Sequence, residues 1–203
     1  MLFLRPLIIP ASLAEPAVMK TEVHVHGSVF LCKGVRLSQV ELALRPWLDY
    51  VDADHLADAK SLERDEQGIV YDARERVVSI CWTGDVGRSF HNKLTEACNA
   101  LGPLTEYASE IEVTYYPDGG EDEFYQFFVG PTAEAIHEFR RQCVVEDLGL
   151  MLSRHIGKAE VDQVTELVTR MFDAHKPEKP TAEPTASGSS TVIPLHPRNR
   201  HLH

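Results

Sequence analysis

The chain has 203 residues, 43% of them apolar, enough for one packed domain of ordinary size, and no run approaches the ~18 to 20 apolar residues that a membrane span requires. A formal charge of -11, which becomes more negative still without residues 176–203, argues against sequence-independent nucleic-acid binding, because that depends on neutralising phosphates with Lys and Arg. Cys32, Cys81, Cys98 and Cys143 are widely spaced, form no CxxC pair and lie within apolar patterns, as expected of free thiols in the reducing cytoplasm.

Residues 1–18 contain the apolar triplets Leu2-Phe3-Leu4 and Leu7-Ile8-Ile9, but Arg5, Pro6 and Pro10 interrupt what a secretory signal needs as a continuous apolar core. A flexible extension is expected there, with a single domain over residues 19–175. Thr21 to Cys32 reads as the first strand. Val23, Val25, Val29 and Leu31 make its apolar face, with Gly27 marking a place where a helix or bulge comes close, and His24, His26, Ser28, Phe30 and Cys32 make the other face. After Lys33-Gly34, the capping box Ser38-Gln39-Val40-Glu41 opens a helix with apolar positions Val40, Leu44, Trp47, Leu48 and Val51. Pro46 falls inside it and predicts a kink or a restart.

Residues 49–66 are rich in Asp and Glu without the D-x-D-x-D-G pattern of a calcium loop, and read as a solvated helix end and loop. Gly68 to Asp72 is a short second strand. Val77 to Thr83 is a third, with Val78, Ile80 and Trp82 on one face, ending at the turn Gly84-Asp85-Val86-Gly87. In the helix that follows, from Arg88 to Leu101, Phe90, Leu94, Ala97, Cys98 and Leu101 share one face, Ser89 is the candidate N-cap, and Gly102-Pro103 predicts an abrupt stop. Glu110 to Tyr116 is the fourth strand. The turn Pro117-Asp118-Gly119-Gly120 leads into a fifth, Glu123 to Val129, whose residues Phe124, Phe127, Phe128 and Val129 do not alternate with polar ones, as in strands covered on both sides.

Two further amphipathic helices are predicted. Thr132 caps one from Ala133 to about Ile156, and Gly157 separates it from another over Ala159 to Ala174 that presents Val161, Val164, Leu167, Val168, Met171 and Phe172. They need a surface: the otherwise open face of the sheet, or a second copy of the protein. Residues 176–203 change composition to Pro, Thr, Ala, Glu and Ser, which predicts a disordered tail, inert or a docking peptide, with a short patch at Val192, Ile193 and Leu195 and a basic end.

The order strand, helix, strand, strand, helix, strand resembles the ferredoxin-like, split βαβ fold, an α+β architecture with an antiparallel sheet. Right-handed crossovers would place the first and third strands centrally and both helices on one face. The fifth strand then extends the sheet beside the fourth. The resemblance stops at element order, and this fold hosts many unrelated functions.

Three sets of residues are candidates for a site. On the sheet face away from the first two helices, His24 and His26, with Cys81 and Glu112 from neighbouring strands, bring zinc-type ligands together. Gly84, Gly87 and Arg88 precede a helix N-terminus, where backbone N–H groups can hold an anion, although no P-loop or dinucleotide fingerprint is formed. Asp118, Glu121, Asp122 and Glu123 crowd a hairpin tip. No hydrolase or zinc-protease motif is present in the sequence. The expectation is a non-enzymatic cytoplasmic interaction or regulatory protein, bacterial or phage in style, that binds a protein partner or forms a homodimer, without cofactor, membrane or direct nucleic-acid binding. Two alternatives are a small-ligand or metal-binding protein, or an enzyme, using the His24 and His26 face, and an acidic inhibitor that mimics nucleic-acid phosphates.

Overall fold

Residues 20–177 are described in the computed structural model. The expectations for residues 1–18 and for residues 178–203 lie outside them. The strands β1 (Thr21–Phe30), β2 (Gly68–Asp72), β3 (Val77–Val86), β4 (Ser109–Tyr116) and β5 (Glu123–Val129) form one sheet in the order β2-β3-β1-β4-β5. Every pairing is antiparallel, and with its helices the architecture is mixed α+β. β1 is central because its apolar face, Val23, Val25 and Val29, is buried between the equally apolar faces of β3 and β4.

The period-two pattern divides the sheet into an inner and an outer face. Val78, Ile80 and Trp82 of β3, Ile111 and Val113 of β4, and Phe127 and Val129 of β5 are buried in one core with Val40, Leu44, Trp47, Leu48, Phe90, Leu94 and Leu101 from the helices. At its centre the Trp47 ring meets Trp82 edge-on at 5.5 Å, and Phe90 stacks on Trp82 at 5.7 Å. Gly27 turns out to accommodate neither a helix nor a bulge. A Cβ there would lie 2.8 Å from the Glu110 carbonyl oxygen, so it is the backbone of β4 that comes close.

Pro46 has the effect its chemistry requires. The chain forms two short helices, α1 (Leu37–Ala43) and α2 (Arg45–Tyr50), and Pro46 stands in the first turn of α2, where no N–H is needed. The capping box differs from the expected one. Arg36, not Ser38, is the N-cap, and its backbone N–H donates to Gln39 Oε1 at 3.0 Å. Glu41 is thereby free to accept from the backbone N–H of Leu56 and to meet His55, which fastens the acidic loop to α1.

The third strand is longer than expected. It continues through Gly84, paired with Val23, and Asp85, paired with Glu22, to Val86. The chain then enters α3 (Phe90–Leu101) and continues past Gly102 as a 3-10 turn over Gly102–Leu104. The stop at Gly102-Pro103 is thus one turn later than predicted, since Pro103 suits the first turn of a new helical segment.

β5 is covered on both sides at its C-terminal end, as its unbroken apolar run predicts. Phe127 and Val129 belong to the inner core, whereas Phe128 packs outward with Ala108 and Ile136. Ile136 belongs to α4 (Ala133–Leu152), whose cap is the Thr132 hydroxyl accepting the Ala135 N–H at 3.1 Å. α4 pairs with α5 (Lys158–Ala174) in an antiparallel hairpin, joined where His137 Nε2 approaches the Phe172 carbonyl at 3.0 Å. No residue of α5 is buried. No helix among the described residues is long and apolar enough to cross a membrane.

Candidate functional site

The outer face of β1 carries His24 and His26, and the register fixes their neighbours: His24 stands opposite Thr83 and Thr114, and His26 opposite Cys81 and Glu112. His26 and Glu112 are exposed, so the α4–α5 hairpin leaves the middle of this face uncovered. Sheet register accounts for two of the ligand-type residues that come together. The third arrives from the loop before β2.

That loop is held to β3 where the β2 ladder ends. The Leu62 N–H donates to the Thr83 carbonyl at 2.9 Å, the Trp82 indole N–H donates to the Lys60 carbonyl at 3.0 Å, and the Thr83 N–H donates to Ser61 Oγ at 2.9 Å. These bonds fold Glu66 onto the sheet. Its Oε1 lies 3.1 Å from His24 Nδ1 and accepts the Thr83 hydroxyl at 3.1 Å, while its Oε2 accepts the Ser61 hydroxyl. Ligand atoms of His24, Glu66 and Cys81 all lie within 4.8 Å of one another, and among the described residues this is the group of His, Cys, Asp and Glu with the spacing to hold a metal ion.

The expected set of His24, His26, Cys81 and Glu112 is therefore only half assembled. His24 and Cys81 meet; Glu66 takes the place assigned to Glu112, which stands on the far side of β1, opposite His26. The His26 ring lies nearly parallel to that of His24, with centroids 6.2 Å apart, close to the group but outside it. Burial, then the negative charges of Glu66 and Asp65, hold the Cys81 thiol above its ordinary range. Such a thiol is poorly suited to nucleophilic attack without a cation beside it.

Glu66 also forms part of the wall of a groove of about 950 Å³ between the edge strand β2 and the loop preceding it, lined in addition by Leu37, Glu41, Leu56, Val70 and Tyr71.

The two other predicted sites fall differently. Gly84 lies inside β3, where a Cβ would come within 2.3 Å of the Trp82 ring, so its missing side chain makes room for the indole. The Gly87 N–H is already taken by the Tyr50 hydroxyl at 2.6 Å, and Arg88 is exposed. Gly84, Gly87 and Arg88 thus form no common anion cradle. Asp118, Glu121, Asp122 and Glu123 do gather, exposed, at the β4–β5 tip, with Glu123 accepting the Tyr125 hydroxyl at 3.0 Å.

No curated protein and no solved structure matches the chain. A family described as "Family of unknown function (DUF6806)" matches residues 21–173, from the start of β1 almost to the end of α5. That span takes in the sheet, the His24 cluster and all but the last residue of the helical hairpin, and the chain belongs to the DUF6806 family.

Proposed function

We propose that the protein is a cytoplasmic protein–protein interaction module that pairs with a second copy of itself through the α4–α5 hairpin, on a ferredoxin-like scaffold. The scaffold reading rests on the order β2-β3-β1-β4 and on helices following β1 and β3, to which β5 adds an edge. Four free thiols support the reducing compartment.

The observation that carries the proposal is the hairpin's unfilled apolar surface. Val161, Val164, Val168 and Phe172 are half-buried in α5, but Leu167 and Met171 remain 52% and 57% exposed, and Leu150 and Met151 of α4 remain 67% and 55% exposed. Full burial of such a side chain contributes roughly 1.5 to 3 kcal/mol. With about half of each still to be covered, four per chain and two chains leave about 6 to 12 kcal/mol. Association costs at least about 4 kcal/mol, so the net is at most about 8 kcal/mol, which allows a reversible dimer no tighter than micromolar.

The test is sedimentation velocity of the full chain over a concentration series, beside the double variant Leu167→Lys/Met171→Lys. The wild type is expected to shift from monomer to dimer at tens of micromolar, and the variant to remain monomeric with unchanged circular dichroism. A wild type that stays monomeric throughout, or a variant that dimerises equally well, would remove the proposal.

A further inference from the structure

We infer that His24, Glu66 and Cys81 form a binding site for a divalent transition metal of the zinc class, with its fourth position open to solvent on the side of His26. The three side chains come from β1, from the loop before β2 and from β3. Main-chain bonds fix each of those segments independently of any metal, through the β1–β3 ladder and the tie between Leu62 and Thr83. A site held together by its scaffold loses little ordering entropy on binding.

The distances are close to those a tetrahedral ion demands. With bonds of about 2.0 Å to nitrogen and oxygen and about 2.3 Å to sulfur, neighbouring ligand atoms around zinc lie roughly 3.3 to 3.6 Å apart. His24 Nδ1 and Glu66 Oε1 are already 3.1 Å apart. No separation in the group exceeds 4.8 Å, so reaching these distances asks for a side-chain movement of about an ångström.

The hydroxyls around the carboxylate support the same conclusion. Metal ligands are commonly oriented by hydrogen bonds from a second layer of groups, and Glu66 has two: the Thr83 hydroxyl on Oε1 and the Ser61 hydroxyl on Oε2. Thr83 is buried and Ser61 is itself pinned by the Thr83 N–H, so the carboxylate is aimed before any ion arrives. One imidazole, one thiolate and one carboxylate make a borderline-soft set. It favours zinc, cobalt or nickel over magnesium or calcium, which prefer oxygen ligands alone. Binding replaces the thiol proton of Cys81 by the metal and releases that proton to solvent.

The experiment uses the full chain, purified without a histidine tag and titrated with Co²⁺. A thiolate-to-cobalt charge-transfer band reports sulfur ligation specifically, and the histidines beyond residue 195 have no cysteine near them in sequence to imitate it. The expected result is a band that saturates at one Co²⁺ per chain and is displaced by an equivalent of Zn²⁺. It should vanish in Cys81→Ser, survive in Cys32→Ser, and require at least about 10-fold more metal in His24→Ala and Glu66→Gln, with Thr83→Val about 10- to 100-fold weaker through loss of the hydroxyl that meets both the Glu66 carboxylate and His24 Nδ1. Circular dichroism and melting of each variant show whether it is folded. A wild type with no sulfur band, a band that persists in folded Cys81→Ser, or unchanged affinity in both His24→Ala and Glu66→Gln would overturn the site. None of these outcomes depends on whether the hairpin pairs.

Discussion

Replacing Gly84 by alanine should damage the core and loosen the Glu66 loop together, through one side chain. A Cβ at position 84 would sit 2.3 Å from Trp82 Cη2 and 2.5 Å from Cζ2, more than an ångström inside ordinary carbon contact. The indole has no free direction in which to retreat, since it is buried between Trp47 and Phe90. Overpacking of this kind costs about 1 to 3 kcal/mol. If the ring rotates to relieve it, the bond from its N–H to the Lys60 carbonyl is lost for about another 0.5 to 1.5 kcal/mol. Gly84→Ala is therefore expected to destabilise by roughly 2 to 4 kcal/mol, a large share of the ~5 to 15 kcal/mol of a typical domain. Urea unfolding followed by tryptophan fluorescence measures the change. Hydrogen exchange of residues 60–66 should rise in the same variant, because the Lys60 tie holds that loop. A midpoint within error of the wild type would refute the steric argument, and unchanged loop exchange would refute the coupling.

The same substitution in the opposite setting should stabilise. A Cβ on Gly149 meets nothing within 4 Å in the interior of α4, so Gly149→Ala is expected to gain about 0.5 to 1 kcal/mol by the same urea assay. His91 predicts a pH dependence. Burial holds its pKa below the ordinary 6.5, with the Tyr125 and Phe127 rings at 4.9 and 5.1 Å. The unfolded chain therefore takes up the proton first as pH falls through 6.5, and stability contributed by the neutral ring is lost below that value. Melting temperatures from neutral pH down to mildly acidic pH should fall less steeply in His91→Phe than in the wild type; equal slopes would show that the ring is not the source.

Much of the fold is legible in the sequence because its signals are local. The alternation of Val23, Val25 and Val29, the spacing of Phe90, Leu94, Ala97 and Leu101, and Pro46 all act over a few residues, and the strands and helices they predict are present. Gly84 shows where local reading fails. A glycine after a strand resembles a turn, but here its missing side chain serves Trp82, two residues away on the same face of the sheet.

The candidate site divides along the same line. His24 and Cys81 can be placed on one face from strand periodicity and an antiparallel pairing. Glu66 cannot, because its position depends on the bonds Leu62–Thr83, Ser61–Thr83 and Lys60–Trp82, each linking residues about twenty apart with no repeating pattern. In sequence it is one more acid in an acidic loop. Conversely, Glu112 sits on the predicted face of β4, but β1 stands between it and the place where the loop folds down.

Hydrogen exchange at low and high protein concentration tests the pairing of hairpins most directly, because it shows which amides the association covers. Protection over α5, Lys158–Ala174, and over the second half of α4 should increase as the concentration rises through tens of micromolar, while the amides of the edge strand β2, Gly68–Asp72, exchange at a constant rate. Protection that is independent of concentration along the hairpin, or that increases at β2 instead, would contradict the account.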